Sequence, residues 1–400
     1  MKDAKVHRRN ASLVLNLLPQ ATMTTPPRIL IVTAAFGEGH NSAARNLGLA
    51  LDAAGAITRV SDPCLLGAPG LTELLSRGYR FATTSLPRVW AAIYRSTDRC
   101  DFSRRSPVMR MPERALGRLI DEFKPVAIVS TYPLYPYFLQ RIPQGIDGKM
   151  PVFTVITDSI EINAAWLRAP TDWFLVTDSL TREGMIGKNL PAEKIIDTGF
   201  PVNPLFSKLS PVDAEDTCSP FRILYFTTAQ RSLVGAHGRA LLDASPSVKL
   251  TIVLGRNVRR LYSRAKKLKD AYPGRVRLIG WTRKVPTLLN SHHLVVGKAG
   301  GATVHEAIAA RCPMLIHHLV PGQEEGNLRL LEAIGAGGLA DSPAALTRHV
   351  SDLLADHAAG WRSMKHALTR HGRNAGAITA ATFMLNQIEA RNSPSPHSLP

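Results

Sequence analysis

Short, almost continuously apolar runs recur along this chain, and stretches of helical periodicity separate them. The first set is RILIVTA (28–34), VAIVS (126–130), PVFTVIT (151–157) and WFLVT (173–177). After the proline-rich interval PVNPLFSKLSPVDAEDTCSP (201–220) the pattern restarts with RILYFTT (222–228), KLTIVLG (249–255), RVRLIG (275–280) and HLVVGK (293–298). A strand that is apolar at every position is buried on both faces, and the helices between such strands supply parallel crossovers. The pattern therefore predicts an α/β chain of two doubly wound domains facing across a cleft, with ligands at the C-terminal ends of the strands. A length of 400 residues agrees, since single cores stop growing well before that size.

Lys and Arg total 49 against 31 Asp and Glu, a formal net charge of +18. Such a balance favours an anionic partner: nucleic acid, anionic lipid or a phosphorylated substrate. Cys64, Cys100, Cys218 and Cys312 lie far apart in sequence, which excludes a disulfide scaffold or zinc ribbon and suits a reducing cytoplasm. No apolar run approaches the roughly 20 residues of a membrane-spanning helix. The basic start is followed by only a short apolar stretch, Leu13 to Leu18, interrupted by Asn16, so no secretion signal is expected. Met23 is an alternative start. The expected divisions are an unstructured extension (1–27), a first domain (28–205), a linker (206–221), a second domain (222–390) and a disordered tail (391–400).

The strongest local signal is HLVVGKAGGATVHEAIAARCPMLIHHLVPGQEEGN (293–327), which reads as strand, glycine turn, helix, strand and polar loop. Gly300 and Gly301 let backbone amides approach a ligand, and a helix starting near Ala302 aims its free N–H groups at the same place. An anion such as a diphosphate suits that position. Glu306, one turn into the helix, has the reach to accept hydrogen bonds from a sugar diol. On the residues alone Thr303-x-x-Glu306 reads first as a capping box. In the first half, FGEGH (36–40) is a glycine turn after a strand, with Asn41 or Ser42 expected to cap a helix running to Gly55.

These motifs resemble those of the family 28 glycosyltransferases of GT-B fold, and within them the monogalactosyldiacylglycerol synthase and processive diacylglycerol glucosyltransferase group. That group shows GK-x-GG-x-T-x-x-EA and then PGQE-x-x-N. Here the letters stand as Gly297-Lys298-Ala299-Gly300-Gly301-Ala302-Thr303, Glu306-Ala307 and Pro321-Gly322-Gln323-Glu324 with Asn327. FGEGH resembles the group's GGGH turn, with Glu38 replacing a glycine. The likeness runs from about Arg28 to about Ala336.

The resemblance implies a second domain that binds a UDP-sugar and a first domain on the acceptor and membrane side. Glu306 would bind the ribose, Gly300, Gly301 and Thr303 the diphosphate, and Gln323 and Glu324 the sugar hydroxyls, with Lys298 and Asn327 in the same motifs. Gly255-Arg256-Asn257 resembles another element near the donor, and Trp281 falls where the group presents backbone to the uracil or is an ordinary half-buried aromatic. His40 corresponds to an acceptor-side histidine, a candidate general base or positioning residue, with Gly37, Glu38 and Gly39 around it; the bland alternative is a helix cap. Asp158 and Glu161 are further acid/base candidates. Three places depart from the pattern: Thr227-Thr228-Ala229-Gln230 replaces a glycine-rich turn, and Tyr132 and Asn163 stand where relatives often carry histidine.

No Asp-x-Asp triplet occurs, so no metal or other cofactor is expected, and helix dipole and turn amides would stabilise the leaving diphosphate. The His292-His293 and His317-His318 pairs each lie on a strand, where neighbours point to opposite faces, and read as structural. Ten arginines between Arg77 and Arg118, interleaved with Tyr79, Phe81, Trp90, Tyr94, Phe102, Met109 and Met111, suit an anionic membrane surface or else two ordinary amphipathic helices. The expected enzyme is an inverting hexosyltransferase, galactosyl or glucosyl, acting on diacylglycerol at the inner face of the membrane as a cytoplasmic peripheral protein. An N-acetylglucosamine transferase acting on a polyprenyl diphosphate is the alternative. A nucleic-acid binder, suggested by the basic stretch 256–284, is a third reading, and no nucleic-acid motif accompanies it.

Overall fold

The computed structural model describes residues 25–142, 150–228, 230–322, 324–372 and 375–392. It contains two compact units. One comprises residues up to Pro204 together with Pro321–Gln323 and the segment from Asn374 onward, and the other Leu205–Val320 with Glu324–Arg373.

Among the described residues, the first unit is built on a six-stranded sheet of β1 (Arg28–Val32), β2 (Ile57–Ser61), β3 (Ala127–Ser130), β4 (Val152–Val155), β5 (Trp173–Val176) and β6 (Ile195–Asp197), in the order 2-1-3-4-5-6. Every pairing is parallel. The period of two along β1 explains its unbroken apolar run. Ile29 and Ile31 pack with Leu47 and Leu51 of the helix Glu38–Ala53, whereas Leu30 and Val32 pack with Leu116 and Leu119 of the helix Arg110–Phe123 on the other face. The order reverses between β1 and β3, so the crevice at their C-terminal ends is the unit's natural ligand site.

The second unit repeats the plan with β7 (Phe221–Phe226), β8 (Val248–Val253), β9 (Val276–Ile279), β10 (Leu294–Lys298), β11 (Met314–His318) and β12 (Gly337–Leu339), in the order 12-11-10-7-8-9. Read from β7, that is 6-5-4-1-2-3, the order of dinucleotide-binding sheets, and its switch point lies between β7 and β10. Phe221, Ile223 and Tyr225 pack with Leu250, Ile252, Leu294 and the fully buried Trp361.

The structure differs from the sequence expectations at four points. Strands β2, β6 and β12 were not expected. Each is at a sheet edge, and two of the three are only three residues long. The helix after β1 starts at Glu38 with Gly37 as its cap residue, at φ 139°, so Asn41 and Ser42 are inside it and it ends at Ala53. Asn41 instead accepts a hydrogen bond from Thr33 Oγ1 at 3.0 Å. The Thr303-x-x-Glu306 capping box is absent, because Gly300 is the cap residue and Thr303 is already in the first turn of the helix Gly301–Ala309.

Fourth, the helix Gly376–Asn392 does not belong with the second unit. Its Ala380, Ala381, Met384 and Ile388 bury against Ala44, Leu47 and Leu51 of the first. A Cβ at Gly376 would collide with the Phe200 carbonyl, so only glycine lets the helix start there. Arg391 and Asn392, expected in the tail, close this helix. Residues 1–24 of the expected extension (1–27) and the tail beyond Asn392 lie outside the described residues.

Candidate active site

In the first unit the switch point between β1 and β3 opens into a cavity of about 650 Å³. Its lining is mostly apolar, with His40, Tyr132, Asp158, Asn163 and Trp166 on one wall and Leu71, Leu75, Ala82, Trp90 and Tyr94 among those on the other. The glycine cap carries the chain from β1 into the helix so that His40 falls in the first turn. There His40 Nδ1 stands 2.9 Å from Thr157 Oγ1, two residues beyond β4, and its ring packs edge-on to Tyr132 with centroids 5.3 Å apart. Burial lowers the imidazole pKa to about 4, against an opposing hydrogen bond with the Thr131 backbone, so His40 is neutral near pH 7.

Asp158 follows β4. Its Oδ2 accepts a hydrogen bond of 2.8 Å from Trp166 Nε1, and burial raises its pKa to about 6 against that bond. It is therefore an ionised carboxylate at neutral pH with a pKa close to the working range of a general base. Asn163, where relatives often carry histidine, caps the helix Ala164–Leu167, and its Nδ2 donates to Thr97 Oγ1 at 3.0 Å. Glu161 lies outside the cavity lining. Gly39 is helical, and Glu38 is exposed and paired with Arg45 at 3.5 Å.

In the second unit the candidate donor residues gather at the C-terminal ends of β7, β8 and β10. Gly300 and Gly301 open the helix Gly301–Ala309, whose first amides have no side-chain cap. The Asn327 amide donates to the Ala299 carbonyl at 2.9 Å and so pins the glycine turn, while its Oδ1 is buried without a partner among the described residues. Glu324 Oε2 accepts from the Val320 amide at 3.0 Å, and Oε1 lies 3.5 Å from Lys298 Nζ. Thr303 and Glu306 lie on this helix, half-buried. Gly255 (φ 60°), Arg256 and Asn257 form a single 3-10 turn beyond β8. Trp281 is 52% exposed beyond β9, with Arg283 over its ring at 5.3 Å. In the turn after β7, Thr227 Oγ1 donates to the Val253 carbonyl at 3.1 Å and Thr228 Oγ1 accepts from the Gln230 amide at 3.2 Å, taking over from a glycine-rich loop. Gln323 and Ala229 lie outside the described residues.

Asp216, Cys218 and His293 come within 4.8 Å of one another, a spacing that a metal ion would fit. The His293 ring nitrogens and the Asp216 carboxylate are otherwise occupied. His293 Nδ1 accepts from the Arg222 amide at 2.9 Å, its Nε2 is 2.9 Å from Asp216 Oδ1, and Arg222 stands 3.5 Å from the same carboxylate. Burial pushes the Cys218 thiol up to about 11. The cluster ties the proline-rich segment onto the second sheet. His292 is likewise used, 2.8 Å from Thr251 Oγ1 and 2.7 Å from the Leu288 carbonyl.

Several residues that shape the cavity escaped the sequence analysis as site residues: Thr157, Trp166, Trp90 and Tyr94. The last two were grouped with the basic patch, and their spacing of four on one helix was the available signal.

Residues 40–202 match the family described as monogalactosyldiacylglycerol (MGDG) synthase. The chain is 24% identical over 371 residues to the processive diacylglycerol beta-glucosyltransferase of Bacillus subtilis (strain 168), covering 89% of this chain and 94% of that protein. The enzyme of the same description from Bacillus cereus (strain 03BB102) is 25% identical, with 78% and 82% covered. Among solved structures, the glycotransferase of kitacinnamycin superposes with TM-score 0.56 at 15% identity, covering 90% of this chain and 99% of that one. Acinetobacter baumannii MurG gives 0.54 at 15% identity, covering 91% and 100%.

Two doubly wound units of these strand orders, with a glycine turn at the switch point of the second, give this chain the GT-B fold. Within that class the chain is a relative of monogalactosyldiacylglycerol synthase and the processive diacylglycerol glucosyltransferases, as its paired motifs implied.

Proposed function

We propose that this protein is an inverting hexosyltransferase that moves galactose or glucose from a UDP-sugar to the hydroxyl of diacylglycerol, making a glycolipid. One observation carries the reading: the first unit holds a cavity of about 650 Å³, within the size range of small-ligand sites, that is mostly apolar yet has a carboxylate and an imidazole in its wall. No Lys or Arg lines it among the described residues, which suits a neutral lipid and not the diphosphate of a polyprenyl carrier.

Asp158 is the base. It takes the proton of the glycerol hydroxyl as that oxygen attacks the anomeric carbon, and the bond from that carbon to the diphosphate breaks, with UDP taking the electron pair. His40, neutral and held through Thr157, positions the acceptor. The leaving diphosphate is held by the amides of Gly300 and Gly301 and by Thr303 at the helix start, Glu306 holds the ribose, and Glu324 with Gln323 holds the sugar. The reaction needs no metal in this scheme, so activity should survive EDTA; loss on chelation with recovery on magnesium or manganese would overturn that part.

The acceptor's home is a membrane. No helix among the described residues is long and apolar enough to cross one. The helices Pro69–Ser85 and Pro87–Thr97 instead leave Leu74 at 67%, Phe81 at 62% and Val89 at 52% exposure, beside the exposed Arg80 and Arg95. Such a surface fits anionic headgroups at the inner face of a membrane. The deciding assay offers radiolabelled UDP-galactose and UDP-glucose with diacylglycerol vesicles, and in parallel UDP-N-acetylglucosamine with a polyprenyl diphosphate. Labelled glycolipid in the first arm is expected; product only in the second would replace this reading with the alternative.

A further inference from the structure

The helix Pro87–Thr97 places two hydrogen-bond donors, Trp90 Nε1 and Tyr94 Oη, four residues apart on one face. Both side chains line the apolar cavity. Both polar atoms are buried, and neither has a hydrogen-bond partner among the described residues. Buried donors without acceptors are rare, and two on one face of one helix, in one cavity, point to a ligand that supplies the acceptors. Trp90 is held by Tyr79, which packs edge-on to it with ring centroids 5.0 Å apart. Tyr94 stays a donor, since burial and the nearby Asp158 carboxylate push its phenol well above the ordinary range.

The ligand's oxygens must be uncharged, for no Lys or Arg lines the cavity among the described residues, and they must be strong acceptors set in an apolar body. Ester carbonyls of an acylated glycerol meet all three demands. An alkyl ether of the same length keeps the apolar body but lacks the carbonyl oxygens. We propose that Trp90 and Tyr94 donate hydrogen bonds to the ester carbonyls of the acceptor, so that the enzyme selects acyl over alkyl glycerolipids. This rests on reading the cavity as the acceptor site. Both are positioning residues, made use of before the reaction begins, so their loss should raise KM and leave kcat nearly unchanged.

The test compares dioctanoylglycerol with dioctylglycerol diether, first by calorimetric binding and then as acceptors, using the full chain. The unaltered protein should favour the ester by roughly tenfold or more, the scale of one or two neutral hydrogen bonds. Tyr94→Phe removes a single oxygen and should cut that preference several-fold through KM for the ester, with the ether unaffected. Trp90→Phe should do the same, and the double variant should bind both lipids alike, with affinity for the ether unchanged as the check on folding. Equal losses for ester and ether, or no preference in the unaltered protein, would overturn the assignment. Ester-selective binding that depends on Tyr94 but is never followed by transfer would leave the carbonyl subsite standing and sink the acceptor reading instead.

Discussion

Among the described residues the Asp158 carboxylate is held by one donor, the Trp166 indole, and its pKa of about 6 is set by burial. The folded-state value lies above the ordinary 3.8, so the folded form prefers the proton. Its stabilising contribution is present below that ordinary value and is lost as pH rises through 6, leaving the charge a net cost at pH 7 of up to about 3 kcal/mol. Asp158→Asn keeps an oxygen for the indole. It should therefore raise the urea midpoint at pH 7 while lowering kcat about 100-fold or more, and in the unaltered enzyme kcat/KM should fall as pH drops through 6. Turnover by the Asp158→Asn enzyme within a few-fold of the original would return the base role to His40 or Glu161. In the second unit, Thr303 and Glu306 each sit three positions too deep in their helix for the capping box that the letters suggest. Glu306→Gln should weaken UDP binding by about 1.5–3 kcal/mol with the fold intact, read by calorimetry, and unchanged affinity would remove it from the site.

At the scale of elements, the helices Pro69–Ser85 and Pro87–Thr97 serve two surfaces at once, one lining the cavity and the other exposing large apolar side chains among arginines. The helix Pro69–Ser85 departs from simple amphipathic packing, because Leu71, Leu74 and Leu75, which line the cavity, are exposed while Thr72 and Ser76 are buried. Reversing Arg80, Arg95 and Arg99 to Glu should release the protein from anionic vesicles in sedimentation, each arginine contributing about 1 kcal/mol, with UDP binding unaffected. Undiminished sedimentation would move the membrane surface elsewhere. Arg105 is unsuitable for that test, since it pairs at 2.7 Å with Glu113, whose side chain is nearly buried, and a second carboxylate there would damage the fold. The helix Val258–Ala271 shows the contrasting case. Its Leu261, Ala265 and Leu268 are core, and its basic residues form a solvated face.

For the whole molecule, burial lowers His40, His292 and His317 to about 4. Each is depressed below the ordinary 6.5, so each contributes stability above that pH that is lost as pH falls towards 4. Asp158 opposes them by one proton over part of the same window. From these four groups the unfolded chain takes up about two protons more than the folded one, a contribution of roughly 3 kcal/mol per pH unit between about 6 and 4, and His237, His293 and His318, also lowered by burial, act in the same direction. Urea midpoints should fall steeply across that range, and a flat profile would show that these imidazoles titrate freely.

The sequence by itself determined the two α/β halves, the interior strands and the residues of the glycine turn, because a strand buried on both faces must be apolar throughout and a tight turn must be glycine. It did not disclose edge strands such as ITRVS (57–61), whose half-exposed residues carry no such pattern. Nor did it assign the helix Gly376–Asn392 to the first unit, since an apolar helix face does not name the surface it will cover. Tertiary structure decided what His40, Asp158, Trp90 and Tyr94 are: four residues spread from 40 to 158, brought to one cavity by the crossover order of the first sheet. Their protonation states and unmet hydrogen bonds depend on burial, which is a property of packing and not of any local run of residues.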